Sequence, residues 1–260
     1  MIHTKYFTLL NYPKTGSTFL RNSVARTHRH VMGRRWSFLP KAFWPKFWYK
    51  EELKQHPTNN IIDQHGFRRT LNPNNKGVLI TAIREPISWF TSSYKYQLWA
   101  RSTNEWSKRF PNFPYLSPEE YNQFRQLSHD AEWSFTPNMT EGIGWQSQYF
   151  IRFYASTDLL QKLKKVSSIP ELIEVVSADF AEIKFFKTES LTQEFGKFLH
   201  DLEYPMRLIK EIENAPEKNV SKNKLGLNAE LSNSMKAKIK DQEYVLYTLR
   251  SKLGIDRDEF

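Results

Sequence analysis

The most constraining feature of this chain lies near its amino terminus, where an apolar run leads into a turn and then a stretch with helical spacing. The run covers residues 6–10, and the turn reads Pro13-Lys14-Thr15-Gly16-Ser17-Thr18. Pro13 cannot continue a hydrogen-bonded ladder, and Gly16 permits a tight turn with close backbone approach. A helix opening at about Thr18 presents backbone N–H groups that favour an anion. The segment therefore predicts a strand, a phosphate-binding turn and a helix.

The order of residues in this turn differs from that of the common nucleoside-triphosphate loop. That loop reads Gly-x-x-x-x-Gly-Lys followed by Ser or Thr, so its Lys comes after the last Gly. Here Lys14 precedes Gly16, and two hydroxyls, those of Ser17 and Thr18, follow it. The turn thus predicts phosphate binding, with Lys14 as its fixed positive charge, but not the usual triphosphate and magnesium chemistry.

A second strand with a basic residue at its end follows later in the chain. Residues 76–83 form a short apolar run typical of a buried parallel strand, and Arg84-Glu85-Pro86 comes directly after it. Pro86 favours a helix start, so we expect a helix over residues 87–98. Ser92, two turns along, should then face inward. Arg84 and the Ser92 hydroxyl form a pair that can bind a second phosphate.

Together, these two motifs resemble those of sulfotransferases that use 3′-phosphoadenosine 5′-phosphosulfate (PAPS). The resemblance implies that residues 13–18 wrap the 5′-phosphate, with Lys14 facing the sulfonate. It also implies that Arg84 and Ser92, with Tyr94 two residues later, belong to the 3′-phosphate motif. Many relatives carry a second Arg five residues after the first, where this chain has Trp89. That departure concerns one supporting contact, not the class of cofactor.

The carboxyl-terminal part continues the resemblance. Residues 180–187 are interpreted as a strand, followed by a helix through His200 and the pair Tyr204-Pro205. A basic loop then precedes a predicted terminal helix over residues 227–253. Such a loop often closes over the nucleotide in this family, which makes Lys222 and Lys224 candidate cofactor ligands, although either could also be a solvated loop lysine.

The predicted general base lies between the two phosphate motifs. Residues 60–67 are interpreted as a strand with His65 at its carboxyl end. Ligands of open parallel sheets bind at the carboxyl ends of strands, so His65 should lie near Lys14 and Arg84. Some members of the family place a catalytic His or Glu after the equivalent strand. We expect His65 to accept the proton, with Asp63 as second choice or as the group that orients the imidazole.

These patterns predict an α/β fold: a three-layer α/β/α arrangement around a mostly parallel sheet, with a helical, loop-rich aromatic insertion. One sulfotransferase domain is expected over residues 1–260, with the acceptor side in an insertion at about residues 98–177. Absence of cysteine fits the reducing cytoplasm, and no run of apolar residues is long enough for a membrane segment. A dimer is neither required nor excluded.

The sequence thus predicts an enzyme that transfers a sulfonate from PAPS to a hydroxyl, leaving 3′,5′-ADP and requiring no metal. A carbohydrate or glycoconjugate acceptor is favoured over a small phenol. The net charge of +10 suits an anionic cosubstrate. Nucleic acid is the runner-up partner, but no nucleic-acid-binding motif accompanies the charge. Two alternatives stay open: a small-molecule or nucleoside kinase with a variant phosphate loop, and a non-catalytic module that binds anions.

Overall fold

The structure is a computed structural model of the 260-residue chain. It describes the following residues: 2–3, 6–24, 67–71, 77–97, 100, 106–130, 135–139, 142–215 and 225–256. Two compact units are present, each built from two stretches of the chain. The first unit comprises Met1–Ile83 and Glu182–Asn219, and the second comprises Arg84–Ala181 and Val220–Phe260. The prediction of a single domain with an insertion at about residues 98–177 stays a prediction.

The first unit contains a small, mainly parallel sheet. Its strands are β1 (Ile2–His3), β2 (Phe7–Leu9), β3 (Val78–Ile83) and β4 (Ile183–Lys187), in the spatial order β1-β2-β3-β4. β1 pairs with β2 antiparallel, whereas β2, β3 and β4 are parallel. Parallel neighbours need long connections, usually containing helices, and the chain separations here satisfy that requirement. The carboxyl ends of β2, β3 and β4 therefore meet at one edge.

Alternation along the strands explains the core of the first unit. Phe7 and Leu9 point to one face and Ile80 and Ala82 continue it, and all four are buried. Three helices cover this face: α1 (residues 17–24), α7 (Leu191–Asp201) and α8 (Met206–Glu213). The side chains that they contribute include Leu20, Val24, Phe195, Phe198, Leu199, Ile209 and Ile212. This packing fixes α1 against the strand that precedes it.

The second unit is built from helices in the described residues. They are α2 (Pro86–Tyr96), α3 (Pro118–Asp130), α4 (Trp145–Tyr154), α5 (Thr157–Leu163), α6 (Ile169–Phe180), α9 (Asn233–Gln242) and α10 (Tyr244–Lys252). Its core is aromatic: Trp89 packs on Trp145 with ring centroids 5.0 Å apart, and Phe150 packs edge-on against Phe180 at 5.6 Å. The α/β class predicted from the sequence is thus confirmed.

Two predicted elements differ from the structure. The run expected as a strand over residues 180–187 begins as the end of α6, and β4 covers only its last five residues. The single terminal helix expected over residues 227–253 is wrong: it starts later and is divided into α9 and α10 at Glu243. Glu243 leaves helical geometry because its side chain is bound elsewhere, as described below. No described helix has the length and apolar character needed to cross a membrane.

Candidate functional site

The predicted phosphate turn has an unusual backbone. Lys14 has a φ of 65° and Gly16 a φ of 74°, so both lie in the left-handed region. Glycine adopts this conformation readily, but for a lysine it costs about 1–2 kcal/mol. Strain of this kind persists where the surrounding structure imposes it, and such residues cluster at ligand sites. The turn therefore holds Lys14 in a conformation that local preference alone would not choose.

Two buried threonines fix the turn. Thr81 on β3 donates its hydroxyl to the Leu10 carbonyl at 2.9 Å, and Leu10 itself donates its N–H to the Ile80 carbonyl at 2.8 Å. Thr15 is fully buried and donates its hydroxyl to the Tyr12 carbonyl at 3.0 Å. The Thr15 side chain thus positions the turn, because its hydroxyl is bound within the turn itself.

The amino terminus of α1 has the character of an anion site. The first helical bond runs from the Leu20 N–H to the Gly16 carbonyl at 3.2 Å, which makes Gly16 the residue that caps the helix. Because Gly16 has no side chain, it cannot fill the helix start with a capping oxygen. The N–H groups of the first turn lack intrahelical acceptors and carry the positive end of the helix dipole. Ser17 and Thr18 add hydroxyls there.

Gly16 is also required by its surroundings. A β-carbon at this position would lie 2.6 Å from Leu191 Cδ2, at the start of α7, and 3.8 Å from Thr188 Cγ2. Thr188 follows β4 and donates its hydroxyl to the Ile83 carbonyl at 2.9 Å, at the end of β3. The turn after β2 thus packs against the segment after β4, at the edge where the parallel strands end.

The second motif starts the second unit and is arranged differently. Arg84 follows the last residue of β3, and Pro86 occupies the first turn of α2, as predicted. Glu85 caps the helix: its carboxylate accepts the Ser88 N–H at 2.7 Å. The hydroxyl of Tyr247, on α10, donates to the other carboxylate oxygen. The start of α2 is therefore occupied by a carboxylate of the chain itself, so a phosphate at this motif must rely on side chains.

The pKa values of this pair follow from the contacts. Burial acts to raise the pKa of Glu85, but hydrogen bonds from Tyr247 and from the Ser88 and Ile87 N–H groups outweigh it and lower the pKa below its ordinary value. Burial and the neighbouring Glu85 raise the pKa of Tyr247. Near neutral pH the pair is thus a carboxylate and a neutral phenol that donates to it.

The other residues of this motif lie along α2. Ser92 is half-buried, whereas Tyr94 is buried and donates its hydroxyl to the Leu116 carbonyl at 2.7 Å. Tyr94 thus has a packing role. Trp89, which stands where many sulfotransferases have a second Arg, is buried against Trp145 and also stacks on Tyr149 at 6.0 Å. The departure from the family pattern therefore contributes to the core of the second unit.

The end of α2 is fixed to the segment after residue 224. Gln97 caps the helix in the left-handed region, with a φ of 54°, and is buried. Its side-chain oxygen accepts the Leu225 N–H at 2.8 Å. Sequence reasoning gave Gln97 no role, and a lone glutamine at a helix end carries no signal that would have identified it.

Several predicted site residues lie outside the described part of the chain. These are the proposed base His65, its alternative Asp63, and the basic-loop residues Lys222 and Lys224. Their assignments stay predictions. Among the residues that the structure does describe, no three His, Cys, Asp or Glu side chains come together as a metal site would require.

A buried carboxylate that the sequence did not reveal joins α4 to the break between α9 and α10. Glu243 accepts the Gln146 N–H at 3.0 Å, the Ser147 N–H at 2.7 Å and the Ser147 hydroxyl at 2.7 Å. Ser147 Oγ in turn accepts the Leu246 N–H at 3.1 Å. Burial raises the pKa of Glu243 to about 7, although these three donors act in the opposite direction. Glu243 caps α4 from a distant part of the sequence.

The aromatic insertion is mostly a core. Among the described rings of the insertion predicted at about residues 98–177, those of Phe110, Tyr121, Trp145 and Phe150 are buried within the second unit, and Arg125 lies over the Trp145 ring at 4.4 Å. These residues thus have a packing role. Tyr115 is 60% exposed and stays available for contact with a ligand.

The chain was also compared with known proteins. No family model, no curated protein and no solved structure matches it.

Proposed function

We propose that this protein is a sulfotransferase that moves a sulfonate group from PAPS to a hydroxyl of an acceptor. The observation that carries the proposal is the turn after β2, in which a strained Lys14 and a side-chain-free Gly16 lie at the start of α1. Fixed positive charge and N–H donors at the carboxyl end of a parallel strand suit a phosphate. The order of residues in the turn favours PAPS over a nucleoside triphosphate, as the resemblance to sulfotransferases implies.

The proposal gives each residue a role. The turn of residues 13–18 holds the 5′-phosphosulfate, and Lys14 stabilises charge on the oxygen that bridges phosphorus and sulfur. Arg84 and Ser92 bind the 3′-phosphate, and Lys222 adds a contact to the nucleotide. The carboxylate at the start of α2 supports this division, because Glu85 already accepts the Ser88 N–H there, whereas Gly16 brings no capping side chain to α1.

The reaction is an in-line displacement, comparable in geometry to phosphoryl transfer. The acceptor oxygen attacks sulfur, the bond from sulfur to the bridging oxygen breaks, and 3′,5′-ADP leaves with the electron pair. His65, or Asp63 in its place, takes the acceptor proton. Positioned charges contribute most by stabilising the leaving oxygen, which is the task of Lys14.

The finer architecture and setting belong to the same proposal. We infer a three-layer α/β/α arrangement with acceptor contacts in residues 98–177, and a carbohydrate or glycoconjugate as acceptor. A cysteine-free chain suits the cytoplasm.

Calorimetric titration tests the class of enzyme. The purified protein is titrated with 3′,5′-ADP, magnesium-ATP and 5′-AMP, and the series is repeated with Arg84→Ala and with the exposed control Arg109→Ala. We expect metal-independent binding of 3′,5′-ADP that only Arg84→Ala weakens. Preference for magnesium-ATP would reject the proposal and favour a kinase.

Turnover tests the catalytic assignments. With PAPS and a panel of sugar and phenol acceptors, Lys14→Ala and His65→Ala should abolish sulfonate transfer while the protein stays folded by thermal melting. Full activity of the His65 variant would reject His65 as the base, and binding of PAPS without transfer to any acceptor would favour the non-catalytic module.

A further inference from the structure

The start of α2 contains a contact that links the Arg84 motif to the last helix. Glu85 stands directly between Arg84 and Pro86. One of its carboxylate oxygens accepts the Ser88 N–H, and the other accepts the Tyr247 hydroxyl from α10. The two donors approach the two different oxygens. Together they hold the carboxylate plane between α2 and α10.

The charge states make this contact a strong one. Glu85 is ionised and Tyr247 is a neutral donor near neutral pH, because the pKa of the first is lowered and that of the second raised. Hydrogen bonds to a charged group are roughly twice as strong as neutral ones. Both residues are partly buried, so water competes less for the bond than it would at an exposed position.

Removing the phenol would leave one oxygen of an ionised, partly buried carboxylate without this donor. A partly buried, ionised oxygen without a donor is unfavourable, so Glu85 would form a hydrogen bond with another donor. Arg84 is the preceding residue in the sequence and carries such donors. An Arg84 side chain that pairs with Glu85 has fewer of its five N–H donors left for a phosphate, because a bidentate pair with a carboxylate uses two of them. Loss of the Tyr247 hydroxyl would therefore act on Arg84 through Glu85.

We propose that Tyr247 is a positioning residue for the 3′-phosphate: it holds Glu85 in the cap of α2 and so prevents that carboxylate from competing for Arg84. The inference rests on the proposed function, because it presupposes that Arg84 binds a 3′-phosphate. It assigns the last helix a part in cofactor recognition that neither motif in the sequence indicates.

The experiment compares two ligands that differ only by the 3′-phosphate. The dissociation constants of 3′,5′-ADP and 5′-AMP are measured calorimetrically for the wild type, Tyr247→Phe, Glu85→Gln and the double variant. Tyr244→Phe, which alters an exposed tyrosine of the same helix, is the matched control. Thermal melts show that each variant is folded.

We expect Tyr247→Phe to reduce the preference for 3′,5′-ADP over 5′-AMP about tenfold, with little change in the affinity for 5′-AMP. Adding Glu85→Gln should restore most of that preference, because a neutral amide can still cap the helix but cannot form an ion pair with Arg84. Tyr244→Phe should leave the preference unchanged.

The outcomes are distinguishable. If the wild type itself does not prefer 3′,5′-ADP, the proposed function and this inference both fail. If the wild type shows the preference and Tyr247→Phe retains it, only the inference fails. An equal loss of affinity for both ligands, or a loss that Glu85→Gln does not relieve, would mean that Tyr247 only supports the fold. If Tyr247→Phe does not fold, Glu85→Gln alone decides: a large loss of preference would overturn the inference.

Discussion

The buried carboxyl group of Glu243 should make the stability of the protein depend on pH in an unusual direction. Carboxylates bound by several donors at a helix start normally have lowered pKa values and stabilise proteins as the pH rises. Glu243 is 1% exposed, and the cost of burying its charge outweighs its three donors, which raises its pKa from 4.5 to about 7. The perturbation that isolates this effect is Glu243→Gln, which keeps the shape and an acceptor oxygen but cannot ionise.

The magnitude follows from linkage. Between pH 4.5 and about 7 the folded state keeps a proton that the unfolded state has lost. The contribution of Glu243 to stability is therefore fully present below pH 4.5 and is lost as the pH rises to about 7. Raising the pKa of this carboxyl from 4.5 to about 7 corresponds to about 3 kcal/mol. The wild type should lose about that much stability relative to Glu243→Gln over this range.

Urea denaturation at intervals from pH 4.5 to 8 measures the difference. Subtracting the variant from the wild type cancels groups common to both, and Glu230→Gln, which alters an exposed carboxylate in the same unit, is the control. The free energy of unfolding of the wild type minus that of the variant should fall with rising pH for Glu243→Gln and stay constant for Glu230→Gln. A difference that is flat for both, or that rises with pH for Glu243, would refute the reasoning and show that the three donors dominate burial.

Two further predictions concern the phosphate turn. Gly16→Ala should lower the free energy of unfolding by about 1–2 kcal/mol in urea titrations and abolish 3′,5′-ADP binding, because alanine is strained at a φ of 74°. The control Gly142→Ala, whose added β-carbon would meet nothing within 4 Å, should change neither property. Lys14→Gly should be about 1 kcal/mol more stable than Lys14→Ala, because glycine relieves the left-handed strain. Both variants should lose sulfonate transfer. Equal stabilities would contradict the strained backbone at Lys14.

Local signals in the sequence predicted the elements around the turn well. Pro13 and Gly16 mark the end of β2 and the start of α1, and Pro86 marks the start of α2 within a residue or two. These residues determine the backbone through their own stereochemistry, so no knowledge of the rest of the chain is needed. The apolar run before Arg84 identified β3 for a similar reason: continuous burial is typical of a parallel strand.

Contacts between distant parts of the sequence could not be predicted in this way. Residues 227–253 have helical spacing throughout, yet the helix breaks at Glu243 because its side chain caps α4, almost a hundred positions earlier. Thr15 is a local case: its hydroxyl donates to the Tyr12 carbonyl three residues earlier, and its assignment as a cofactor ligand stays a prediction. The cap that Glu243 forms is a tertiary contact, and single-sequence patterns do not contain that information.

The two helix starts at the proposed cofactor motifs illustrate how one residue type decides what a helix can bind. At α1 the capping residue is Gly16, which brings no side-chain acceptor to the positive end of the helix. At α2 the capping residue is Glu85, which supplies its own anion, so the proposed recognition of the 3′-phosphate falls to the side chains of Arg84 and Ser92. A phosphosulfate that must be activated benefits from many fixed donors, whereas a 3′-phosphate that serves only for recognition needs a few side chains. Exchanging the residue types, with an acidic residue at position 16, should therefore abolish nucleotide binding even in a protein that folds.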